Sequence, residues 1–267
     1  MMKFKEIAAA GVALAALVTA ALLPVAPAAA GAGQPKDVMH PCPVLVELYT
    51  SQGCNTCPPA DVLLEQLDAR EDVIGIAFHV DYWDYLGWKD SFALGGNAPR
   101  QRAYAKAMEQ SYVYTPQAVV DGLDHFNGSD KRAIDKAIDG AKMMATVALK
   151  TSWDGRDRIH VDLPESGSQT VGPGLARGAA IWLAGVDGAQ DVPITRGENA
   201  GKTLRYTNIV RSMERLGEWD GMAARVTIDA GALRSAGREK AVVMVQAPEM
   251  GRIIGAAEIR LDSAPGS

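Results

Sequence analysis

The sequence predicts an α/β domain followed by an all-β, sandwich-like one, and three observations point that way. Two uninterrupted apolar runs, "VLVELYT" (44–50) and "VIGIAFHV" (73–80), have the profile of strands buried on both faces. A helix is expected after each of them. After Met144 the texture changes to about seven short β-branched runs separated by turn residues, a density typical of an all-β unit.

The first thirty residues precede both units and read as a secretory signal. Lys3 and Lys5 open an Ala/Leu/Val run that Pro24 interrupts, and small residues at Ala28 and Ala30 mark a cleavage site near Ala30. The chain is therefore expected in the periplasm or outside the cell, and no later apolar run is long enough to span a bilayer. The α/β domain is expected over 31–144 and the all-β domain over 145–267.

Within 31–144 each element has a local cause. The segment "SQGCNTCPP" follows the first strand directly, and Pro58 and Pro59 suit the start of a helix, where a missing N–H costs least. Val62, Leu63 and Leu67 then recur at helical spacing. After the second strand, Asn97 and Pro99 read as a cap and first turn for a helix through "RQRAYAKAM". Asp121-Gly122 between two apolar runs signals a hairpin. Ile134, Ala137, Ile138 and Ala141 form the apolar stripe of a last helix, with Ser129 as its expected cap. The predicted order is β-α-β-α-β-β-α. From 145 on the candidate strands are "TVALKTSW", "RIHVDL", "AAIWLAGV", "TLRYTNIV", "ARVTI", "AVVMVQA" and "RIIGAAEIRL", with turns at Asp154-Gly155 and Met250-Gly251.

Composition narrows the function. With 27 basic and 32 acidic residues among 267, the net charge of −5 argues against nucleic acid and anionic membrane as partners. Three cysteines are too few for the disulfide mesh of a small secreted scaffold. A C-x-x-C that ends a strand and opens a helix suits thiol–disulfide exchange. The polarised chain turn favours a thiolate on Cys54, which attacks a substrate disulfide, and Cys57 resolves the mixed disulfide. No cofactor beyond this dithiol is expected. The partners would be protein thiols or disulfides, together with a redox protein that resets the pair.

Other readings stand beside it. The pair also fits a fixed disulfide in a non-catalytic interaction protein. With His79 it fits a copper- or zinc-binding or metal-delivery protein, although structural zinc needs four ligands and no second C-x-x-C exists. His79 and Asp81 in "AFHVDYWD" suit that metal site, but a histidine ending a buried strand equally serves as a hydrogen-bonded packing residue or a proton acceptor. The aromatic stretch Phe78 to Phe92 fits either a substrate-binding surface or a pinned loop. Cys42, between two prolines, is the leftover thiol, and Arg100 and Arg102 read as a solvated helix face, with the anchoring of an anionic group as the alternative. The all-β half carries no catalytic constellation, its one histidine being His160.

The element order, the "CNTCP" at the strand–helix junction and the Thr115-Pro116 leading into a hairpin resemble the thioredoxin fold. More narrowly, "VELYTSQGCNTCPPAD", "FHVDYWDYLGWKD", "RQRAYA", "YTPQAVVDG" and "GENAGKTLRYTNIVR" resemble a family of secreted proteins with a thioredoxin-like domain, domain of unknown function 1223. The resemblance implies an α/β thioredoxin-like domain ahead of the all-β one. It also implies a cis bond before Pro116, lying against the dithiol, with Thr115 offering its backbone to an extended substrate. The inner dipeptide Asn55-Thr56 differs from the Gly-Pro of thioredoxin itself, so the direction of electron flow is not implied.

Overall fold

The structure, a computed structural model, describes residues 5–7, 42–144, 146–166 and 173–263. The signal sequence expected over 1–30 lies outside them apart from β1 (Lys5–Ile7), a short strand that pairs in parallel with Ala224–Val226. No helix among the described residues is long and apolar enough to cross a membrane.

The elements before residue 145 are β2 (Val44–Thr50), α1 (Pro58–Asp68), β3 (Val73–His79), α2 (Asn97–Ala107), β4 (Gln117–Val120), β5 (Asp124–Asn127) and α3 (Lys131–Lys142). Both β2 and β3 are buried along their whole length, and they pair in parallel. Leu63, Leu64 and Leu67 of α1 pack on this pair, each side chain contributing roughly 1.5–3 kcal/mol by leaving water. Gly75 permits the close approach, since a Cβ there would lie 2.9 Å from Leu64 Cδ1. The Asp121-Gly122 turn joins β4 to β5 with both residues at positive φ. Two caps differ from expectation. Asp130, not Ser129, accepts the Ala133 N–H at the start of α3, and Asn97 is already inside α2, its amide donating to the His79 carbonyl at 2.8 Å.

The later elements are β6 (Lys150–Asp154), β7 (Arg158–Leu163), α4 (Pro173–Ala176), β8 (Ala179–Asp187), β9 (Gln190–Pro193), β10 (Thr203–Tyr206), β11 (Ile209–Trp219), β12 (Ala224–Asp229), α5 (Ala230–Ser235), β13 (Lys240–Gln246) and β14 (Ile253–Arg260). Their pairing corrects the expected fold class. The chain is not an α/β thioredoxin-like domain followed by a separate β-sandwich. One mixed eight-stranded sheet runs β14-β13-β8-β11-β3-β2-β4-β5, taking four strands from each side of residue 145. A four-stranded sheet, β1-β12-β7-β6, shares a core with β8, β13 and β14 at one end, and β9 and β10 form a two-stranded arm.

The physical reason lies at β3. A strand buried on both faces and along both edges needs a second neighbour, and β11 supplies it in parallel through Ile209 and Ala77. Asn208 makes the join. Held at φ 49°, it accepts the Ala77 N–H on its carbonyl at 2.8 Å and donates its side-chain amide to the Gly75 carbonyl at 2.7 Å. Apolar runs reveal that a segment is a strand; they do not reveal which strand it borders.

Candidate functional site

Cys54 and Cys57 are joined in a disulfide, with their Cα atoms 5.4 Å apart. The pair lies between the end of β2 and the start of α1, where Cys57 is the residue before the helix. Pro58 and Pro59 occupy its first turn and carry no N–H. The next two amides, of Ala60 and Asp61, both donate to the Cys57 carbonyl, at 2.8 and 3.2 Å. The helix start therefore has no spare amide for either sulfur. The Thr56 hydroxyl, 3.4 Å from Cys54 Sγ, is a donor that does reach it. Both sulfur residues are covered, Cys54 being 2% exposed and Cys57 fully buried, while Asn55 and Thr56 between them face solvent.

Trp83 forms one wall. Its indole N–H donates to Thr115 Oγ1 at 2.7 Å, and a Cβ on Gly53 would lie 3.1 Å from Trp83 Cβ, so the ring spans from the cysteine loop to Thr115. The Thr115–Pro116 peptide bond is cis. Pro116 converges with Ala60 of α1 on Gly128, where an added Cβ would be 3.0 Å from each. Tyr85, 76% exposed, stacks on Trp83 from outside.

A buried polar cluster adjoins the cysteine loop, whose Gln52 amide donates to Asp90. Thr50 Oγ1 donates to Asp61 Oδ1 at 2.7 Å, and Asp61 Oδ2 has no partner. Burial pushes the Asp61 carboxyl up to about 7, against the pull of His79 and the Thr50 hydrogen bond. Asp90 accepts from the Gln52 and Phe92 amides, both at 2.8 Å, and meets His79 Nδ1 at 2.8 Å. Burial alone would raise Asp90, but His79 and these amides outweigh it and hold the carboxyl below its ordinary value. An ionised Asp90 can only accept, so His79 Nδ1 is the donor of that bond, and its Nε2 has no hydrogen-bond partner. Tyr206, whose ring lies 4.8 Å from that of His79, has the third unpartnered atom, its hydroxyl. Burial, then Asp61 and Asp90, push its acidity down.

The second half of the chain reaches this site. Asn199, buried in the connection between β9 and β10, donates its amide to the carbonyls of Gln52 and Cys54, at 3.0 and 2.9 Å. Its Oδ1 accepts from Lys202 Nζ at 2.9 Å. Gln52 is held from the other side by the Trp88 indole at 2.8 Å.

The sequence profile of a family described as "Protein of unknown function (DUF1223)" matches residues 45–246. The chain belongs to this family. The match covers β2 through β13 and so includes both the cysteine loop and Asn199. Among solved structures, this DUF1223 member is similar to a protein from Agrobacterium tumefaciens determined by X-ray crystallography in a structural-genomics programme. The TM-score is 0.73 at 30% identity, over 86% of this chain and 99% of that one. HBP35 of Porphyromonas gingivalis is similar in fold, with a TM-score of 0.56 at 16% identity over 85% of this chain and 78% of that one. Nothing among curated proteins matches.

For this DUF1223 member the expected site residues Cys54, Cys57, Thr115 and Pro116 stand around one loop. His79 lies behind them in the polar cluster, and Asp81 is exposed. No group of three or more His, Cys, Asp or Glu among the described residues is arranged to hold a metal ion. The aromatic stretch divides, with Phe78 and Phe92 in the core and Tyr85 outside. Arg100 is corrected: it is buried against Glu47, not solvated. Sequence reasoning missed Asp61, Asp90, Tyr206, Asn199 and Lys202. Asp61 was the legible one, four residues after Cys57 and next to Ala60 on the face that α1 buries.

Proposed function

We propose that this DUF1223 member is an exported thiol–disulfide oxidoreductase acting on protein thiols or disulfides through Cys54 and Cys57. One observation carries the reading: the pair closes into a disulfide one helical turn before a buried, half-partnered carboxyl pushed up to about 7, a group suited to exchanging protons near neutral pH. In the reduced protein the Cys54 thiolate attacks a substrate disulfide, forming a Cys54–substrate bond and releasing one substrate thiolate. Cys57 gives its proton to the Asp61 carboxylate and attacks Cys54. That step restores the internal disulfide and releases the second substrate thiolate, so two electrons pass to the substrate. A redox partner protein returns them. Export is supported by the leader pattern and by the oxidised pair, since disulfides persist in oxidising compartments.

A second reading, a fixed disulfide in an interaction protein, is favoured by the burial of both sulfurs. Thiol trapping across redox buffers separates the two. An active pair titrates at a moderately oxidising potential, and a staple stays oxidised well below about −300 mV. Under the proposed function Cys57→Ser accumulates mixed disulfides on Cys54 in an oxidising extract; a variant that captures nothing overturns it.

A further inference from the structure

The loop that bears Cys54 has no basic residue of its own between Ser51 and Cys57, and the helix behind it has no spare amide. Within the loop only the Thr56 hydroxyl is seen to reach the sulfur, and any fixed positive charge that favours a thiolate there comes from elsewhere in the chain. Asn199 and Lys202, in the "GENAGKT" stretch, meet that need. We propose that Asn199 and Lys202 are positioning residues which set the acidity of the Cys54 thiol from the second half of the chain, an inference that rests on the function proposed above.

The Cys54 carbonyl is a negative dipole end on the same residue as the sulfur. Two donors neutralise it, the Cys57 N–H at 3.3 Å and the Asn199 amide at 2.9 Å. The Lys202 ammonium sits on the far end of that amide, so its charge polarises the Asn199 N–H toward Cys54. The amide's second bond, to the Gln52 carbonyl, fixes its orientation and with it the path of the loop. Among the described residues, the charged and titratable groups of the cluster at the loop are Asp61 of α1, His79 of β3, Asp90, Tyr206 of β10, whose hydroxyl carries no charge near neutral pH, and Lys202. The two carboxyls oppose a thiolate when ionised, His79 is tied to Asp90, and Lys202 is the standing cation among them. Lys202 is exposed, so salt screens its effect, whereas Asn199 acts at contact distance inside the protein.

The test measures the acidity of Cys54 in a Cys42→Ser/Cys57→Ser background, from the pH dependence of iodoacetamide alkylation and from thiolate absorbance. Asn199→Ala is expected to slow alkylation at pH 7 by about tenfold, the change for one pKa unit. Lys202→Met is expected to slow it about twofold to threefold at low salt, with the difference shrinking at high salt. Lys202→Arg restores the wild-type rate. A purely structural role for Asn199 would lower the unfolding midpoint without moving the alkylation profile. Lys202 lies on the surface, so its variants keep the question answerable if Asn199→Ala folds poorly. Profiles for Asn199→Ala and Lys202→Met that coincide with an acidic parent overturn this inference alone. A parent whose thiol titrates at an ordinary value overturns the function on which it rests.

Discussion

Two buried polar clusters flank β2, and they are built in opposite ways. On one side Glu47 receives Arg100 through two bonds, Nε at 2.7 Å and Nη2 at 2.8 Å, and also the hydroxyls of Tyr104 and Tyr49 at 2.6 and 3.1 Å. Gln246 of β13 closes the network by donating to Tyr104 Oη at 2.9 Å and accepting from Arg100 Nη1 at 3.2 Å. No buried side-chain polar atom of these five residues lacks a partner. Burial opposes the Arg100 charge, but Glu47 outweighs it and raises its pKa well above the ordinary value. On the other side Asp61, His79 and Tyr206 each keep an unpartnered atom next to the cysteine loop. A saturated network holds one arrangement, and here it ties α2 and β2 to a strand from the second half. An unsaturated one retains groups able to change protonation, at a cost in stability.

The largest test of that contrast is Arg100→Met. Removing one partner leaves Glu47 buried and uncompensated, with an expected loss of about 3–5 kcal/mol in urea unfolding. The cysteine pair's redox midpoint should be unchanged if the variant folds. A loss below about 1 kcal/mol would mean the network is not the structural member of the two.

Asp61→Asn comes next, and its effect depends on pH. The folded carboxyl titrates near 7, above an unfolded value of about 3.9. Folded protein thus holds the proton through a window in which unfolded chain has lost it. The stabilisation is complete below the unfolded value and is lost as pH rises from about 4 to about 7. Asparagine keeps an acceptor for Thr50 and does not ionise, so the variant gains on the wild type by up to about 4 kcal/mol across that window. Asp121 is also raised to about 7, by burial, and contributes a slope of the same sign that Asp61→Asn leaves in place. Parallel stability curves for variant and wild type would show that Asp61 does not titrate there.

The same contrast explains how much of the molecule was legible in sequence. Short-range signals read well: β2 and β3 from their apolar runs, the α1 start from its prolines, the hairpin from Asp121-Gly122. The cysteine pair is legible because its C-x-x-C spacing lies within four consecutive residues. What escaped depended on long-range neighbours. Nothing local to Glu47 or Arg100 shows that residues 53 apart form a buried pair, so Arg100 looked solvated. Asn199 sits 145 residues from the carbonyl it holds, and the β3–β11 join turns on a single asparagine, Asn208. The separate β domain was mistaken for the same reason: strand propensity carries no address.

The smallest predicted effect concerns the cover over the sulfurs. Trp83→Phe keeps an aromatic wall beside Gly53 but removes the bond to Thr115, which costs about 1 kcal/mol. Cys54 is almost wholly covered, and if the Trp83 wall beside Gly53 is part of that cover, the loss should appear as access before it appears as stability. Reduction of the oxidised protein by dithiothreitol is expected to quicken about fivefold, the factor that corresponds to about 1 kcal/mol, with little change in the final equilibrium. An unchanged rate would mean that Trp83 does not gate the disulfide, and the residue covering it would then have to be sought in Asn55 and Thr56 themselves.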